Sequence, residues 1–196
     1  VRGREKLPTG GCLVAAKHQS AWDTFALVPI FRDPALVMKA ELMRIPLYGW
    51  FSHKFGMIPI RRETGPSALR EMLRAARERL ADGREIIVFP EGTRRPPGAA
   101  PDYKTGIVML YDQLDVPCVP VALNSGLYWP RRSPLRHPGT IIVEIREPIP
   151  PGLGRKAFAA RLESEIEAAS ARLLAEAANS EQPPPMPTAS AQTTNT

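Results

Sequence analysis

An alternation of two apolar patterns constrains the fold of this chain more than any other feature. Continuous apolar runs of strand length occur at Cys12–Ala16, 84–89, 119–123 and 140–145. Between them lie stretches with helical period. Residues 66–82 carry Leu69, Met72, Leu73, Ala76 and Leu80 on one stripe, with Pro66 near the start and Gly83 just past the end. Residues 22–31 read as a helix start, 106–114 as a shorter helix, and 158–178 as an amphipathic helix rich in Ala, Glu and Arg. Strands alternating with helices argue for an α/β protein with a mixed sheet packed by helices. The 196 residues suit one domain with a sizeable core. From Ser180 the composition shifts to Gln, Pro, Ser and Thr. The expected organisation is a domain over 1–179 and a disordered tail over 180–196. No internal repeat is present.

Two short motifs carry the chemistry. The first is His18-Gln19-Ser20-Ala21-Trp22-Asp23. Histidine is the usual base for a hydroxyl proton because its unperturbed pKa lies near neutrality. A carboxylate on its second ring nitrogen fixes the tautomer and stabilises the imidazolium as it forms. On one straight helix, residues five apart point about 140° away from each other. His18 and Asp23 therefore meet only if His18 ends a strand and Asp23 opens the next helix, and the flanking patterns allow this. The same residues also have a structural reading. Ser20 and Asp23 have capping-box spacing, with Ser20 as N-cap and Asp23 at the third helical position.

The second motif, Phe89-Pro90-Glu91-Gly92-Thr93-Arg94, leaves the run at 84–89. In open α/β sheets the functional crevice lies beyond the carboxyl ends of the strands. Gly92 permits a tight turn or a close backbone approach. Glu91 is suited to accepting a hydrogen bond from a substrate hydroxyl. Arg94 offers a planar fork that matches a phosphate. The structural alternative is a surface turn with a solvated ion pair.

Together and in this order, the two motifs resemble those of the 1-acyl-sn-glycerol-3-phosphate (lysophosphatidate) acyltransferases of the glycerolipid acyltransferase family. Residues 56–62, ending in Arg61-Arg62, look like the family's second block, and 119–122 look like its fourth. Residues 39–49 are similar to the stretch between the first two blocks and add Lys39. The resemblance implies a glycerol-3-phosphate acyltransferase-like fold and these roles. His18 is the general base on the sn-2 hydroxyl of lysophosphatidate, and Asp23 orients it. Lys39, Arg61 or Arg62, and Arg94 hold the acceptor phosphate. Glu91, Gly92 and Thr93 help to place the glycerol. The acyl thioester, on CoA or acyl carrier protein, is attacked directly, without an acyl-enzyme and without a cofactor. Ser20 is a competing nucleophile, but no G-x-S-x-G elbow surrounds it, and it reads as the helix cap.

Composition agrees with this reading. The net charge of +6 and pI near 9.7 call for an anionic partner. No zinc-finger spacing, aromatic ribonucleoprotein strand or basic region before a heptad repeat points to nucleic acid. Residues 38–55 interleave Lys39, Arg44 and Lys54 with Leu42, Ile45, Leu47, Trp50, Phe51 and Phe55. That mixture suits an anionic membrane surface, and equally a core-packed helix with a basic outer side. No run of eighteen apolar residues is present, and there is no signal-peptide pattern. In the family a hydrophobic segment commonly precedes this point. The resemblance therefore implies a bacterial protein whose N-terminal membrane anchor is missing here and which works at the cytoplasmic face of the inner membrane. Cys12 and Cys118 lie in apolar runs and read as buried thiols. The three histidines form no close pair at ligand spacing, so no metal site is expected. Two loops rich in proline and arginine, 95–101 and 130–138, are rim or solvent segments.

Four functions stay open at this point. They are lysophosphatidate acylation, acylation of another lysophospholipid or lyso-aminolipid, a hydrolase using the same dyad on water, and a non-catalytic lipid-binding protein. Glu63, just after the paired arginines, departs from a uniformly basic segment.

Overall fold

The computed structural model describes residues 1–61 and 65–187, with Pro66 described in its backbone only. Arg62 and Glu63 therefore lie outside the described residues, as does the tail over 188–196.

Six strands form one sheet among the described residues. They are β1 (Cys12–Ala16), β2 (Pro34–Lys39), β3 (Ile58–Ile60), β4 (Glu85–Val88), β5 (Cys118–Leu123) and β6 (Val143–Ile145). Their order is β3-β2-β4-β1-β5-β6. The first five run parallel, and β6 pairs antiparallel with β5, so the sheet is mixed. The helices are α1 (Trp22–Ala26), α2 (Tyr48–Lys54), α3 (Pro66–Ala81), α4 (Thr105–Leu114), α5 (Ser125–Tyr128) and α6 (Arg155–Ala178).

The continuous apolar runs are explained by burial on both sheet faces. Side chains alternate along a strand. Leu13, Ala15, Ile86 and Val88 face α3, α4 and α6, meeting Met72, Ala76, Leu110, Phe158 and Ile166. Cys12, Val14, Ala16 and Ile87 face the other way and pack with Leu27, Phe31, Val119 and Val121. Burial pushes the Cys12 thiol up to about 12, and Cys118 moves the same way. Both are free, buried thiols.

Three expectations change, and one strand was not expected. The helix expected over 22–31 is α1 followed by a 3₁₀ turn over Val28–Ile30, because Pro29 has no amide hydrogen to continue the α pattern. The last strand starts at Val143, since the Ile142 amide donates to the Asn124 side chain (2.8 Å) and leaves the ladder. The strand β2 had no expectation at all. The tail expected to be disordered from 180 instead stays on the domain for several residues: Pro184 is buried, and Met186 packs near Leu127 and Ala177.

Residues 38–55 do not form a core-packed helix. Only Gly49 and Ser52 of α2 are buried. Leu47 is 73 % exposed, Trp50 59 % and Phe55 58 %, and Phe25 of α1 is 57 % exposed beside them. Phe25 meets Tyr48 edge-on, Phe51 lies between Trp50 and Phe55, and the Lys54 ammonium sits 5.2 Å over the Trp50 ring. The result is a continuous aromatic and aliphatic surface fringed by lysine.

Candidate active site

The buried polar groups concentrate beyond the carboxyl ends of β1, β4 and β5. Lys17, Gln19, Ser20, Asp23, Glu91, Asn124 and Ser125 are all buried there. Such groups are costly to bury unless each finds a partner, so their pairing defines the site.

His18 follows β1 by two residues, and Asp23 lies in the first turn of α1, as the spacing required. The His18 Nδ1 is 2.9 Å from Asp23 Oδ2. The same carboxylate oxygen accepts the backbone amides of Gln19 (2.8 Å) and Ser20 (2.9 Å). Its other oxygen accepts the Ser125 hydroxyl from the start of α5. An ionised carboxylate only accepts, so Nδ1 carries the proton in this pair. The neutral ring then leaves the Nε2 lone pair for a substrate. The imidazole stacks on Phe89, with centroids 3.8 Å apart, which fixes its plane. Asp23 is fully buried, while His18 keeps 12 % of its side chain exposed.

The capping box is present in part. The Ser20 amide bonds to Asp23 as a capping box requires, but the Ser20 hydroxyl accepts from Trp22 (3.1 Å) and Ala21 occupies the N-cap position. Ser20 is fully buried and its hydroxyl is engaged, which fits the structural reading of that residue.

The second motif turns at Gly92, whose φ of 66° is disfavoured for any residue with a Cβ. The turn brings the Arg95 amide to the His18 carbonyl (2.8 Å), so the two motifs share a backbone hydrogen bond. Glu91 divides its two oxygens: Oε2 has no hydrogen-bond partner in the protein and Glu91 lines a cavity beside Gly92 and Thr93, while Oε1 is held from inside. It is fully buried, and its Oε1 accepts from the Lys17 ammonium (2.9 Å). Lys17 also donates to Glu167 of α6 (2.8 Å), where the Tyr103 hydroxyl donates too. Side-chain alternation explains this split. Lys17 points to the face covered by α6, and its neighbour His18 points the other way. Burial raises the Glu91 carboxyl above its ordinary value, against the opposing pull of Lys17.

The basic residues collect on the same edge. Lys39 ends β2 in register with Ile60, so Arg61 leaves β3 beside it. Lys39, Arg61 and Thr93 are exposed, and Arg94 is half-buried. Between this edge and α3 lies a cavity of about 700 Å³, lined by Val37, Ile60, Leu69, Met72, Val88 and Phe89, with Glu91, Gly92, Thr93 and Lys104 as polar lining. Arg62 falls outside the described residues. Sequence reasoning missed Lys17, Ser125 and Gly126. A Cβ on Gly126 would meet Gln19 Cβ at 2.9 Å, and its amide donates to the Gln19 side chain (3.0 Å). Among the described residues, no cluster of His, Cys, Asp or Glu has the grouping of a metal site.

The Acyltransferase family matches residues 1–124, which includes both motif loops and β5. The chain belongs to that family. It is 37 % identical over 145 residues to the 1-acyl-sn-glycerol-3-phosphate acyltransferase of Pseudomonas aeruginosa, covering 74 % of this chain and 56 % of that protein. The enzyme of the same description from Saccharomyces cerevisiae is 31 % identical over 154 residues, covering 76 % and 50 %. The chain thus spans about half the length of the curated relatives it matches. The crystal structure of the 1-acyl-sn-glycerophosphate (LPA) acyltransferase PlsC from Thermotoga maritima superposes with a TM-score of 0.76 at 26 % identity, covering 88 % of this chain and 70 % of that one. The single-domain α/β fold is therefore that of the family.

Proposed function

We propose that this chain carries the catalytic domain of a 1-acyl-sn-glycerol-3-phosphate acyltransferase, forming phosphatidic acid for phospholipid synthesis. The observation that carries the reading is the His18 ring held at Nδ1 by a buried Asp23, with Nε2 left for a substrate. The sn-2 hydroxyl gives its proton to Nε2 as its oxygen bonds to the thioester carbonyl carbon. The tetrahedral oxyanion collapses, the carbon–sulfur bond breaks, and the thiolate takes the proton back from the imidazolium. Asp23 stabilises that imidazolium between the two steps. Lys39, Arg61 and Arg94 provide the positive edge for the acceptor phosphate, Arg62 of the same sequence block lying outside the described residues, and Gly92 and Thr93 border the glycerol. Glu91 braces the loop through Lys17 with Oε1 and keeps Oε2 without a partner in the protein, available for the glycerol. The apolar cavity beside Phe89 suits an acyl chain. CoA and acyl carrier protein are equally acceptable carriers of the donor.

Thiol release from a long-chain acyl-CoA in detergent micelles tests the reading. Wild type is expected to release thiol only with lysophosphatidate present. His18→Ala is expected to lose about 10²- to 10⁴-fold in kcat while keeping its circular dichroism spectrum. Release without acceptor would identify a hydrolase instead.

The same reading puts the domain at an anionic membrane surface, on the cytoplasmic face of the inner membrane. Among the described residues no helix is long and apolar enough to cross a bilayer. The exposed surface of Phe25, Leu47, Trp50 and Phe55 with Lys54 supports a peripheral mode, and Phe25 lies on the helix that carries Asp23. The domain is expected to sediment with vesicles containing phosphatidylglycerol more than with neutral ones. A protein that stays in the supernatant with both would exclude this mode.

A further inference from the structure

The arginine-rich loop over 130–138 is tied to the second motif and to itself. The Arg136 guanidinium stacks on Trp129 at 4.1 Å and donates to the Ser133 and Leu135 carbonyls, and the His137 amide returns to Tyr128 (2.9 Å). Within this loop Arg131 reaches into the second motif: its Nη1 donates to the Arg94 carbonyl (3.0 Å). The next residue, Arg95, donates its amide to the His18 carbonyl. Arg131 is thus two hydrogen bonds from the backbone of the base.

The charge balance here is one-sided. Arg95 has carboxylates near it, Asp102 at 3.5 Å and Glu91 at 3.9 Å. Among the described residues, no carboxylate lies within 4.0 Å of Arg94, Arg131 or Arg132. The Arg131 Nε is buried and has no hydrogen-bond partner in the protein. Burial, then Arg132 and Arg94, lower the Arg131 pKa from its ordinary value. Arg132 sits at φ 58°, a conformation that an L-residue adopts at a cost and that persists where neighbours hold it. Three cations with no acid among them are stabilised by an added anion, and a guanidinium with an unused N–H suits a phosphate oxygen.

We propose that Arg131, assisted by Arg132, completes the phosphate site begun by Arg94 and selects a phosphate monoester acceptor over a phosphodiester one. A monoester carries about −1.5 to −2 at pH 7 because its second pKa lies near 6, whereas a diester carries a single charge. A cluster of uncompensated guanidinium groups rewards the second charge. This makes Arg131 a specificity-determining residue for the acceptor, and it rests on the acyltransferase reading above.

The test compares lysophosphatidate with lysophosphatidylglycerol as acceptors, using acyl-CoA as donor. Arg131→Gln is expected to raise KM for lysophosphatidate about ten-fold or more, as loss of a charge-assisted hydrogen bond implies. The kcat and the KM for acyl-CoA stay near wild type, and the preference for the monoester shrinks by a similar factor. Arg131→Lys keeps the charge but loses the fork, so it falls between the two. Arg132→Gly accommodates the backbone conformation and removes a more exposed charge, for an expected effect of about two- to five-fold. In wild type the KM for lysophosphatidate falls as pH rises through about 6, where the phosphate loses its second proton, and Arg131→Gln flattens that dependence. Equal weakening of both acceptors, or a rise in KM for acyl-CoA instead, overturns the proposal. Calorimetric binding of glycerol 3-phosphate separates the two claims. Wild type that binds it and loses it in Arg131→Gln, yet shows no turnover, keeps the anion site and removes the acyltransferase reading. Binding unaffected by Arg131→Gln removes the anion site alone.

Discussion

Arg84 and Arg94 flank the same strand, β4, and have opposite fates. Arg84, at the amino end, donates to the backbone carbonyls of Asp33, Pro34 (3.0 Å) and Phe55 (2.8 Å), and pairs with the Asp33 carboxylate at 3.1 Å. Glu85 beside it accepts from Arg32 and from the Asp33 amide. Arg94, at the carboxyl end, has no carboxylate partner among the described residues, and its own carbonyl is taken by another arginine, Arg131. The amino end of the sheet closes its charges on itself. The carboxyl end leaves charges and an imidazole nitrogen directed outward. A closed set of partners marks a structural arginine, and an open set marks one kept for a ligand.

This contrast can be broken by substitution. Arg84→Ala should have the largest effect, about 3 kcal/mol of stability in a urea titration, because three carbonyls lose a charged donor near the core. Its KM for lysophosphatidate should not move; a changed KM with unchanged stability would erase the distinction. Arg94→Gln should do the reverse, raising KM about ten-fold at an unchanged denaturation midpoint. A drop in midpoint would make Arg94 another structural arginine. Glu144→Gln gives the smallest effect and tests a closed ion cluster on the edge strand β6. Burial raises the Glu144 carboxyl, but Arg172 and Arg146 outweigh this and hold it below its ordinary value of 4.5. A depressed carboxylate contributes stability that is present above that value and lost as pH falls through its folded pKa. Glu144→Gln should therefore cost about 1–2 kcal/mol at pH 7 and match wild type in strong acid. A pH-independent difference would assign the effect to packing.

Much of this contrast was hidden in the chain order. The strands β1, β4 and β5 were legible because their residues are apolar on both faces, which no exposed segment sustains. The strand β2 was not, since it opens on Pro34 and ends on Lys39, next to a basic aromatic stretch that is equally compatible with a helix. The His18–Asp23 pair was legible because five residues and one strand-to-helix turn confine it. Ser125, which holds the other oxygen of the same carboxylate, left no signal, because it is 102 residues away. Glu91 is expected at the substrate from its motif, and what the motif hides is that its Oε1 is held by Lys17, the residue next to His18. That contact depends on the face to which each strand directs its last side chain, which a loop motif does not record.

The sequence by itself determined the fold class, the two motif loops and the local pairing of His18 with Asp23. Periodicity and short-range hydrogen bonds depend on near neighbours, and those are written consecutively. The tertiary structure alone decided that Ser125 secures Asp23, that Lys17 bridges Glu91 and Glu167, that α2 shows its aromatic side to the outside, and that Arg131 reaches Arg94. Each of these joins segments whose meeting depends on strand order and on which face a residue occupies, and side-chain chemistry enters only after the sheet has brought them together.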